Sequence, residues 1–237
     1  MAVIVVTGTG TEVGKTVVTA AVAAAARAQG RSVAVVKPAQ TGVGADEAGD
    51  VDEVMRLAGD VEGVELARFP EPLAPATAAL RVGMEPVRPE QVVEAVEKLA
   101  CAHDLVIVEG AGGLLVRFDD DGATLADVAR LLGAPVLVVV PAGLGTLNTT
   151  ALTAEALRAR ELEQLGVVIG SWPAEPDLAA RCNLADLPEA AGAPLLGAVP
   201  EGVGALAPTE FQARAASWLA PRLGGSWNAD AFGAAVR

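Results

Sequence analysis

Short apolar runs alternate with longer amphipathic or alanine-rich stretches along most of the chain. Continuous valine-rich runs are typical of strands buried on both faces of a sheet, and the stretches between them have helical spacing. The predicted strands lie at residues 3–6, 32–36, 105–108, 135–140, 167–169 and 195–199, and the predicted helices at residues 15–29, 51–57, 90–100, 148–163 and 209–219. This alternation predicts a three-layer α/β fold with a mostly parallel central sheet flanked by helices.

The same alternation continues without an internal repeat or a long linker, so residues 1–237 are predicted to form a single domain. The proline-rich stretch at residues 70–89 is interpreted as an excursion within that domain. Residues 220–237 follow the last predicted helix and are expected to form a loosely ordered tail. In a parallel sheet, ligands bind beyond the carboxyl ends of the strands, so the loops after the strands are the place to look for function.

Composition and charge exclude several classes of partner. The 237 residues carry a formal net charge of -13, which argues against nucleic acid or an anionic membrane surface as a partner. No apolar stretch approaches the ~20 residues of a membrane-spanning helix, and the chain begins with a strand-like run rather than a basic leader. Two cysteines and one histidine leave little room for a zinc site. The sequence therefore predicts a cytoplasmic protein without a nucleic-acid or membrane partner.

The segment GTGTEVGKT directly follows the first predicted strand and opens the first predicted helix. A glycine-rich loop that ends in Gly-Lys-Thr binds phosphate through backbone N–H groups at the helix N-terminus. In such a loop Lys15 reaches the β- and γ-phosphates, and the Thr16 hydroxyl ligates Mg²⁺. Two features are unusual: Gly8 and Gly14 enclose five residues instead of four, and Glu12 places a carboxylate inside the loop.

Charged residues also stand at two further strand ends. Glu109 follows the buried run at residues 105–108, and a carboxylate there can hold Mg²⁺ directly or through water. Lys37 ends another strand in a chain that has only three lysines. An ammonium at that place can stabilise charge during phosphoryl transfer, and Thr41 can form a hydrogen bond to a substrate.

Three acids after the second predicted strand are candidates for a second metal ligand: Asp46, Asp50 and Asp52. A separate segment, AGLGTLNTT, places Gly143, Gly145, Thr146 and Asn148 at another helix N-terminus that has no lysine. Without a lysine, this second anion site suits a carboxylate better than a triphosphate.

Taken together, these motifs resemble those of dethiobiotin synthetases, whose pattern GT-x-T-x-V-GKT has the longer glycine spacing. The segments KP…TG at residues 37–42, VEGAGG at 108–113 and LGTLN at 144–148 match in the same order, and the resemblance covers residues 1 to about 205. It implies a homodimeric cyclo-ligase with a P-loop NTPase-like fold that depends on Mg²⁺ and ATP. Such an enzyme forms the ureido ring of dethiobiotin from 7,8-diaminononanoate and CO₂ or bicarbonate, the penultimate step of biotin biosynthesis.

The reaction that the resemblance implies begins when one substrate amine traps CO₂ as a carbamate. The γ-phosphate of ATP then activates the carbamate as a carbamic-phosphoric anhydride, and the second amine closes the ring with loss of phosphate. Lys15 would hold phosphates, Lys37 would steady the carbamate and the γ-phosphate, and Thr11 and Thr41 would contact the diamine. These assignments make Lys15, Lys37 and Thr11 the implied catalytic residues.

The resemblance also implies the residues that bind the ligands. Mg²⁺ would be held by Thr16, Asp50 and Glu109, and the nucleotide would contact Glu12, Val13, Gly14, Lys15, Thr16, Val17, Asp50, Glu109, Gly110, Ala111, Gly112, Gly170, Ser171, Pro200, Glu201 and Gly202. The distant carboxylate of the diamine would bind Gly145, Thr146, Leu147 and Asn148 across the interface of the homodimer.

The sequence leaves the role of Glu12 and the choice of nucleotide open. Glu12 can face the cationic diamine, or it can point toward Lys37. Family members commonly have a histidine where this chain has Thr149, and many have a base-reading asparagine near residues 170–173, where this chain has none. The threonine at position 149 leaves the details of the carboxylate site open. The missing asparagine leaves the preference for ATP over other triphosphates open.

A different class of protein is the alternative: a P-loop switch ATPase of the partition and cobyrinate-synthase superfamily, which acts through partner binding. Such proteins usually carry a second lysine early in the loop, and residues 8–13 contain none. They also display basic or amphipathic surfaces, which an acidic chain lacks. An amidating synthase would need a glutaminase domain, for which this chain has no space. The sequence therefore favours the ligase.

Overall fold

A central sheet of seven strands organises the computed structural model, which describes residues 2–236. The strands are β1 Ala2–Gly8, β2 Val33–Thr41, β3 Glu62–Phe69, β4 Leu105–Gly113, β5 Val136–Val140, β6 Gln164–Trp172 and β7 Leu195–Pro200. Their order is β3-β2-β4-β1-β5-β6-β7, and neighbouring strands pair in parallel. The predicted sheet is confirmed, and in residues 2–236 its pairs are all parallel.

Helices cover both faces of this sheet. Within residues 2–236 the α-helices are α1 Lys15–Ala28, α2 Asp50–Ala58, α3 Pro75–Val82, α4 Pro89–Ala100, α5 Leu125–Leu132, α6 Thr146–Ala159, α7 Leu178–Ala191, α8 Pro208–Ala215 and α9 Ala229–Ala235. Buried residues of α1, α2 and α8 pack on one face, and those of α3 to α7 pack on the other. None of these helices has both the length and the apolar composition needed to cross a membrane.

The strand β4 shows why continuous apolar runs form this sheet. Val106 and Val108 contribute to the core on one face, whereas Leu105 and Ile107 contribute to the core on the other. Successive side chains of a strand point to opposite faces, so a strand covered on both sides must be apolar at every position.

The edge strand β3 was missed by the sequence-based prediction, which recognised only six strands. Its sequence EGVELARF mixes charged and apolar residues, and most of its positions are only partly buried. Because β3 pairs with β2 alone, one of its edges lies at the margin of the sheet and carries no continuous apolar run. A search for buried runs therefore does not find it.

Four of the helices in residues 2–236 were also missing from the prediction: α3, α5, α7 and α9. The first of them lies inside the proline-rich stretch and begins at Pro75, where the fixed backbone angle of proline favours a helix start. The last predicted helix, at residues 209–219, consists of α8 followed by a short 3₁₀ helix at Ala216–Trp218. The helices α3, α5 and α9 have at most eight residues, which is too short to stand out in the hydrophobic pattern. The helix α7 has 14 residues but contains Pro188, a residue that usually ends a helix.

The chain after residue 220 contacts the rest of the fold through aromatic side chains. Trp227 is buried, and the ring of Phe232 on α9 lies 5.2 Å from the ring of Trp172 in an edge-to-face arrangement. Edge-to-face packing is the arrangement that aromatic rings favour. These contacts do not measure how ordered the segment is. The loose order predicted for residues 220–237 therefore stays a prediction.

The register of the three central strands determines where the site lies. In the β2–β4 pair Val36 is opposite Val108, and in the β1–β4 pair Val6 is opposite Glu109. Lys37 and Glu109 therefore lie side by side where β2 and β4 stop pairing with each other, toward the carboxyl edge of the sheet. The two strands themselves continue to Thr41 and Gly113, beyond the ends that the apolar runs predicted. The topology gathers three separate segments of sequence at one edge.

Candidate active site

The loop between β1 and α1 has an unusual backbone. Glu12 adopts a left-handed conformation with φ of 59°, and Gly14 follows with φ of 91°. A side chain at Gly14 would also collide with the carbonyl oxygen of Gly170 at the end of β6. Glycine is therefore required at position 14 both by its backbone angle and by the close approach of β6.

A cavity of about 480 Å³ opens beside this loop at the carboxyl ends of β1, β2 and β4. Its walls come from the phosphate-type loop, from β2 and the loop that follows it, from the start of α2 and from the end of β4. The lining residues are Thr11, Glu12, Gly14, Lys15, Thr16, Val17, Lys37, Ala39, Gln40, Thr41, Val43, Asp50, Ala111 and Gly112. The structure thus brings most of the residues selected from the loop and strand-end motifs to one cavity.

Lys15 is a buried lysine whose ammonium turns back onto its own loop. Its Nζ donates a hydrogen bond to the carbonyl oxygen of Gly10 at 2.9 Å, and the residue is 8% exposed. Burial lowers the pKa of Lys15, and the neighbouring ammonium of Lys37 lowers it further, against the raising effect of Glu109 and Asp50. An ammonium that is desolvated in this way gains strongly from an anionic ligand.

Lys37 is buried more deeply, and two carboxylates neutralise it. Its Nζ donates to Glu109 Oε1 at 3.0 Å and to the carbonyl oxygen of Gly110 at 3.2 Å, and it forms an ion pair with Asp50. Burial lowers the pKa of Lys37, but the charges of Glu109 and Asp50 outweigh burial, so the pKa is raised. Lys37 therefore stays charged at neutral pH.

Glu109 links the phosphate-type loop to Lys37. Its Oε1 accepts hydrogen bonds from Thr16 Oγ1 and from Lys37 Nζ, each at 3.0 Å. Its Oε2 is buried and has no hydrogen-bond partner in the part of the chain that the structure describes. Burial of a carboxylate oxygen without a partner is unfavourable in free energy, and a bound cation would supply the missing interaction.

These residues fit a bound Mg²⁺. Thr16, Asp50 and Glu109 supply hard oxygen donors, and Mg²⁺ is typically held by one or two carboxylates together with water and phosphate. Between residues 2 and 236 there is no group of three or more carboxylate, imidazole or thiol side chains that could hold a metal. A site of this composition would need phosphate oxygens to complete it, which suits a metal that arrives with a nucleotide.

The structure separates the three acids that the sequence left as alternatives. Asp50 begins α2 and faces Lys37 in the cavity, whereas Asp46 is exposed outside it. Asp52 accepts a hydrogen bond from the backbone N–H of Gly49 at 2.8 Å and so caps the helix. Of the three, Asp50 alone lines the cavity.

Gln40 is a cavity residue that sequence reasoning missed. The residue is 5% exposed, and its Oε1 accepts a hydrogen bond from the backbone N–H of Asp50 at 2.9 Å. This bond ties the end of β2 to the first residue of α2. Gln40 lies within the motif KPAQTG, but the sequence contains no signal that its partner is a backbone group at position 50.

Thr11, Glu12 and Thr41 line the open side of the cavity. Glu12 is exposed, and within residues 2–236 it forms no salt bridge with Lys37, whose carboxylate partners are Asp50 and Glu109. The interpretation in which Glu12 points toward Lys37 is therefore not accompanied by an ion pair between the two residues.

The residues expected to contact the nucleotide base lie on the far side of the loop. A side chain at Gly170 would collide with the carbonyl oxygen of Val13, so the end of β6 lies close to the phosphate-type loop. Ser171 lies near the end of β6, and Pro200, Glu201 and Gly202 lie at the end of β7 and in the turn after it. None of these residues lines the cavity that contains the lysines.

The segment of Gly145, Thr146, Leu147 and Asn148 stands apart from the cavity. It forms the N-terminus of α6, with Gly145 in a left-handed conformation at φ of 95°, and none of its residues lines the cavity. Gly145 and Asn148 are exposed, and Thr146 is buried. Within one described chain, the structure therefore does not join this helix start to the lysine cluster.

Solved structures of similar fold include the MinC–MinD cell division complex of Aquifex aeolicus, with a TM-score of 0.56, 16% identity and coverage of 91% of this chain and 86% of that chain. The ParA family ATPase of Chlorobium tepidum has a TM-score of 0.55 and 16% identity, with 89% of this chain and 90% of that chain covered. At this identity the likeness concerns the fold alone. With the loop described above, it shows a P-loop NTPase fold.

Sequence comparison gives closer matches. A family model described as an AAA domain matches residues 2–204. A protein of Streptomyces coelicolor named ATP-dependent dethiobiotin synthetase BioD is 71% identical, with 98% of each chain covered. Proteins of the same name from Saccharopolyspora erythraea and Frankia casuarinae are 68% and 60% identical, covering 96% and 98% of this chain and 100% and 98% of those proteins. The chain therefore belongs to the family of ATP-dependent dethiobiotin synthetases.

Proposed function

We propose that this chain is an Mg²⁺- and ATP-dependent cyclo-ligase that forms the ureido ring of dethiobiotin from 7,8-diaminononanoate and CO₂. The observation that carries the proposal is the convergence of two buried lysines and Asp50 on one cavity beside a phosphate-type loop, with Glu109 in an ion pair with Lys37. The name carried by relatives of up to 71% identity supports the same activity.

Lys15 and the loop around it would bind the triphosphate. The ammonium now bonded to the Gly10 carbonyl would move to phosphate oxygens, which are stronger acceptors because they carry charge. The backbone N–H groups at the start of α1 point toward the same region and favour an anion. Thr16, Asp50 and Glu109 would hold Mg²⁺, whose chemistry is to neutralise charge on the phosphate oxygens.

Lys37 would stabilise the negative charge that develops when the carbamate attacks the γ-phosphate. Its raised pKa keeps it protonated, and its hydrogen bonds to Glu109 Oε1 and the Gly110 carbonyl hold the ammonium in place. A charge that is held in position before the reaction costs no reorganisation during it. Lys37 would therefore act as an electrostatic stabiliser and not as the base that deprotonates an amine.

Thr11 and Thr41 would contact the diamine at the open side of the cavity. Glu12 lines the cavity and forms no salt bridge with Lys37, so its carboxylate would be available to attract a cationic amine. This gives the carboxylate in the phosphate loop a function: it would bring an amine close to the phosphates. The base of the nucleotide would lie between Gly170 and the turn at Gly202.

The distant carboxylate of the diamine would bind at the N-terminus of α6 from a second subunit. Residues 145–148 do not line the cavity of their own chain, so a site built from both features requires two copies. In a two-fold dimer, each subunit lends the segment that it also receives. The proposal also includes that residues 1–237 of each subunit form a single domain.

The decisive experiment supplies labelled bicarbonate, ATP, Mg²⁺ and 7,8-diaminononanoate to the purified protein. We expect label in dethiobiotin and one ATP consumed for each ring formed. ATP hydrolysis that does not depend on the diamine, with no labelled product, would overturn the proposal and favour a switch ATPase.

A further inference from the structure

The loop between β5 and α6 has few contacts of its own. It comprises residues 141–145, and Leu144 at its tip is 93% exposed. Side chains placed at Gly143 or Gly145 would meet no other atom within 4 Å. Packing therefore does not determine the orientation of the peptide groups in this loop.

Several N–H groups of this loop are free. Across residues 2–236, no backbone or side-chain acceptor is found for the N–H groups of Gly143, Leu144 and Gly145. Gly145 precedes the first residue of α6, and no side chain caps the helix there. Free N–H groups at a helix start attract an anion, provided that they point toward it.

One side chain outside the loop is bonded to its carbonyl groups. Asn183, on α7, is 5% exposed, and its Nδ2 donates to the carbonyl oxygens of Ala142 at 2.7 Å and Gly143 at 3.1 Å. An amide NH₂ group has two protons, so both are used on this loop. Removing the donor would leave the Ala142 carbonyl without this partner, whereas the Gly143 carbonyl would keep the hydrogen bond that the Thr146 N–H donates at 3.3 Å.

Peptide planarity transmits this anchoring to the N–H groups. In a trans peptide the carbonyl of one residue points opposite to the N–H of the next, and residues 2–236 contain no cis peptide bond. The Ala142 and Gly143 carbonyls point toward α7, so the N–H groups of Gly143 and Leu144 point away from it. Asn183 thereby determines the direction of the Gly143 N–H, and together with the Thr146 N–H, which also donates to the Gly143 carbonyl, it determines that of the Leu144 N–H.

We propose that Asn183 is a positioning residue that orients the loop N–H groups for the distant carboxylate of the substrate. The inference rests on the proposed function, which places that carboxylate at the start of α6. Asn183 acts through the backbone of residues 142–144 and does not itself contact substrate. It therefore affects the selection of a diamine with a terminal carboxylate rather than the ring-closing chemistry.

The test compares two substrates in two variants, Asn183→Leu and Asn183→Asp. Leucine has a similar volume without a donor, and aspartate retains the shape but repels the two carbonyl oxygens. The substrates are 7,8-diaminononanoate and the same vicinal diamine with a methyl group in place of the carboxylate. We expect each variant to raise KM for the carboxylated diamine by about tenfold, the scale of a buried hydrogen bond left unmade. The kcat value, the KM for ATP and the kcat/KM for the methyl analogue should stay within about twofold of wild type.

A matched control is Leu187→Ala, which removes a fully buried side chain from the same helix but leaves both hydrogen bonds from Asn183 to the loop in place. It should lower the melting temperature but leave the preference for the carboxylated diamine unchanged. If wild type prefers that substrate and both Asn183 variants keep the preference, Asn183 is only a structural residue and the inference fails alone. If wild type itself shows no preference, the carboxylate site at α6 is wrong and the inference falls with it.

Discussion

Two helix starts in this protein use the same backbone arrangement in different surroundings. α1 and α6 both begin after a left-handed glycine, Gly14 at φ of 91° and Gly145 at φ of 95°, and neither has a side-chain cap. At α1 the free N–H groups lie beside the buried lysines Lys15 and Lys37. At α6 no residue from 145 to 148 is charged, and the loop before it is exposed.

The difference indicates what each helix start can bind. A triphosphate carries several negative charges, and its burial requires cations as well as N–H donors. A single carboxylate at an exposed helix start needs donors alone, because the helix dipole and solvent provide the remaining stabilisation. The side chains around each helix start, rather than its backbone, therefore distinguish a nucleotide site from a carboxylate site.

The largest expected effect is at α1. Lys15→Gln and Lys37→Gln should each lower kcat by at least ~100-fold, the scale on which one preorganised charge contact acts. Glutamine retains a donor but removes the charge that opposes the phosphate oxygens. The measurement is the rate of dethiobiotin formation at saturating ATP and diamine, together with the melting temperature of each variant.

The third lysine of the chain is the matched control. Lys98 is exposed on α4, where it pairs with Glu94 at 2.7 Å, so Lys98→Gln should change kcat by less than about twofold. If Lys37→Gln folds and its kcat equals that of Lys98→Gln, the buried lysine has no role in the chemistry. The proposed difference between the two helix starts would then be wrong.

Mixing inactive variants tests whether α6 serves the partner's cavity. Lys15→Ala removes the phosphate contact, and Asn148→Trp blocks the exposed helix start. In a mixed two-fold dimer, one site carries both defects and the other carries neither. Random exchange of equal amounts makes about half the dimers mixed, so about a quarter of all sites should regain activity. Demonstrated exchange of subunits without recovery would mean that α6 serves its own chain or another ligand.

Metal binding should separate Asp50 from its neighbours. Asp50→Asn is expected to raise the Mg²⁺ concentration for half-maximal activity by about tenfold, because it removes one charged oxygen ligand. Asp46→Asn and Asp52→Asn are the controls, since Asp46 is exposed and Asp52 caps α2. If the Mg²⁺ concentration for half-maximal activity rises in only one of these control variants, that residue would be the metal ligand instead of Asp50.

The smallest expected effect is on pH dependence. The carboxylate of Asp50 raises the pKa of both Lys15 and Lys37. Removing it in Asp50→Asn should lower both pKa values, so each ammonium loses its proton at a lower pH. The alkaline limb of kcat/KM for ATP, measured at saturating Mg²⁺, should move to lower pH. An alkaline limb that stays in place or moves to higher pH would show that neither lysine limits activity there.

Motifs of neighbouring residues were sufficient to predict much of the site. The phosphate loop, Lys37 and Glu109 were recognised because each directly follows an apolar run, and the parallel sheet brings such positions to one edge. β3 was missed because its mixed sequence reflects an edge position that only strand order reveals. Gln40 was missed because its partner is a backbone group ten residues away.

The sequence by itself determined the P-loop fold and the identity of the charged residues at the strand ends, because these follow from local order along the chain. Only the tertiary structure showed that Asp50, and not Asp46 or Asp52, pairs with Lys37, and that Asn183 is bonded to the loop before α6. Such contacts depend on strand register and on the packing of helices that are distant in sequence. The side chain that meets a given backbone group is therefore known only when the sheet and its helices have assembled.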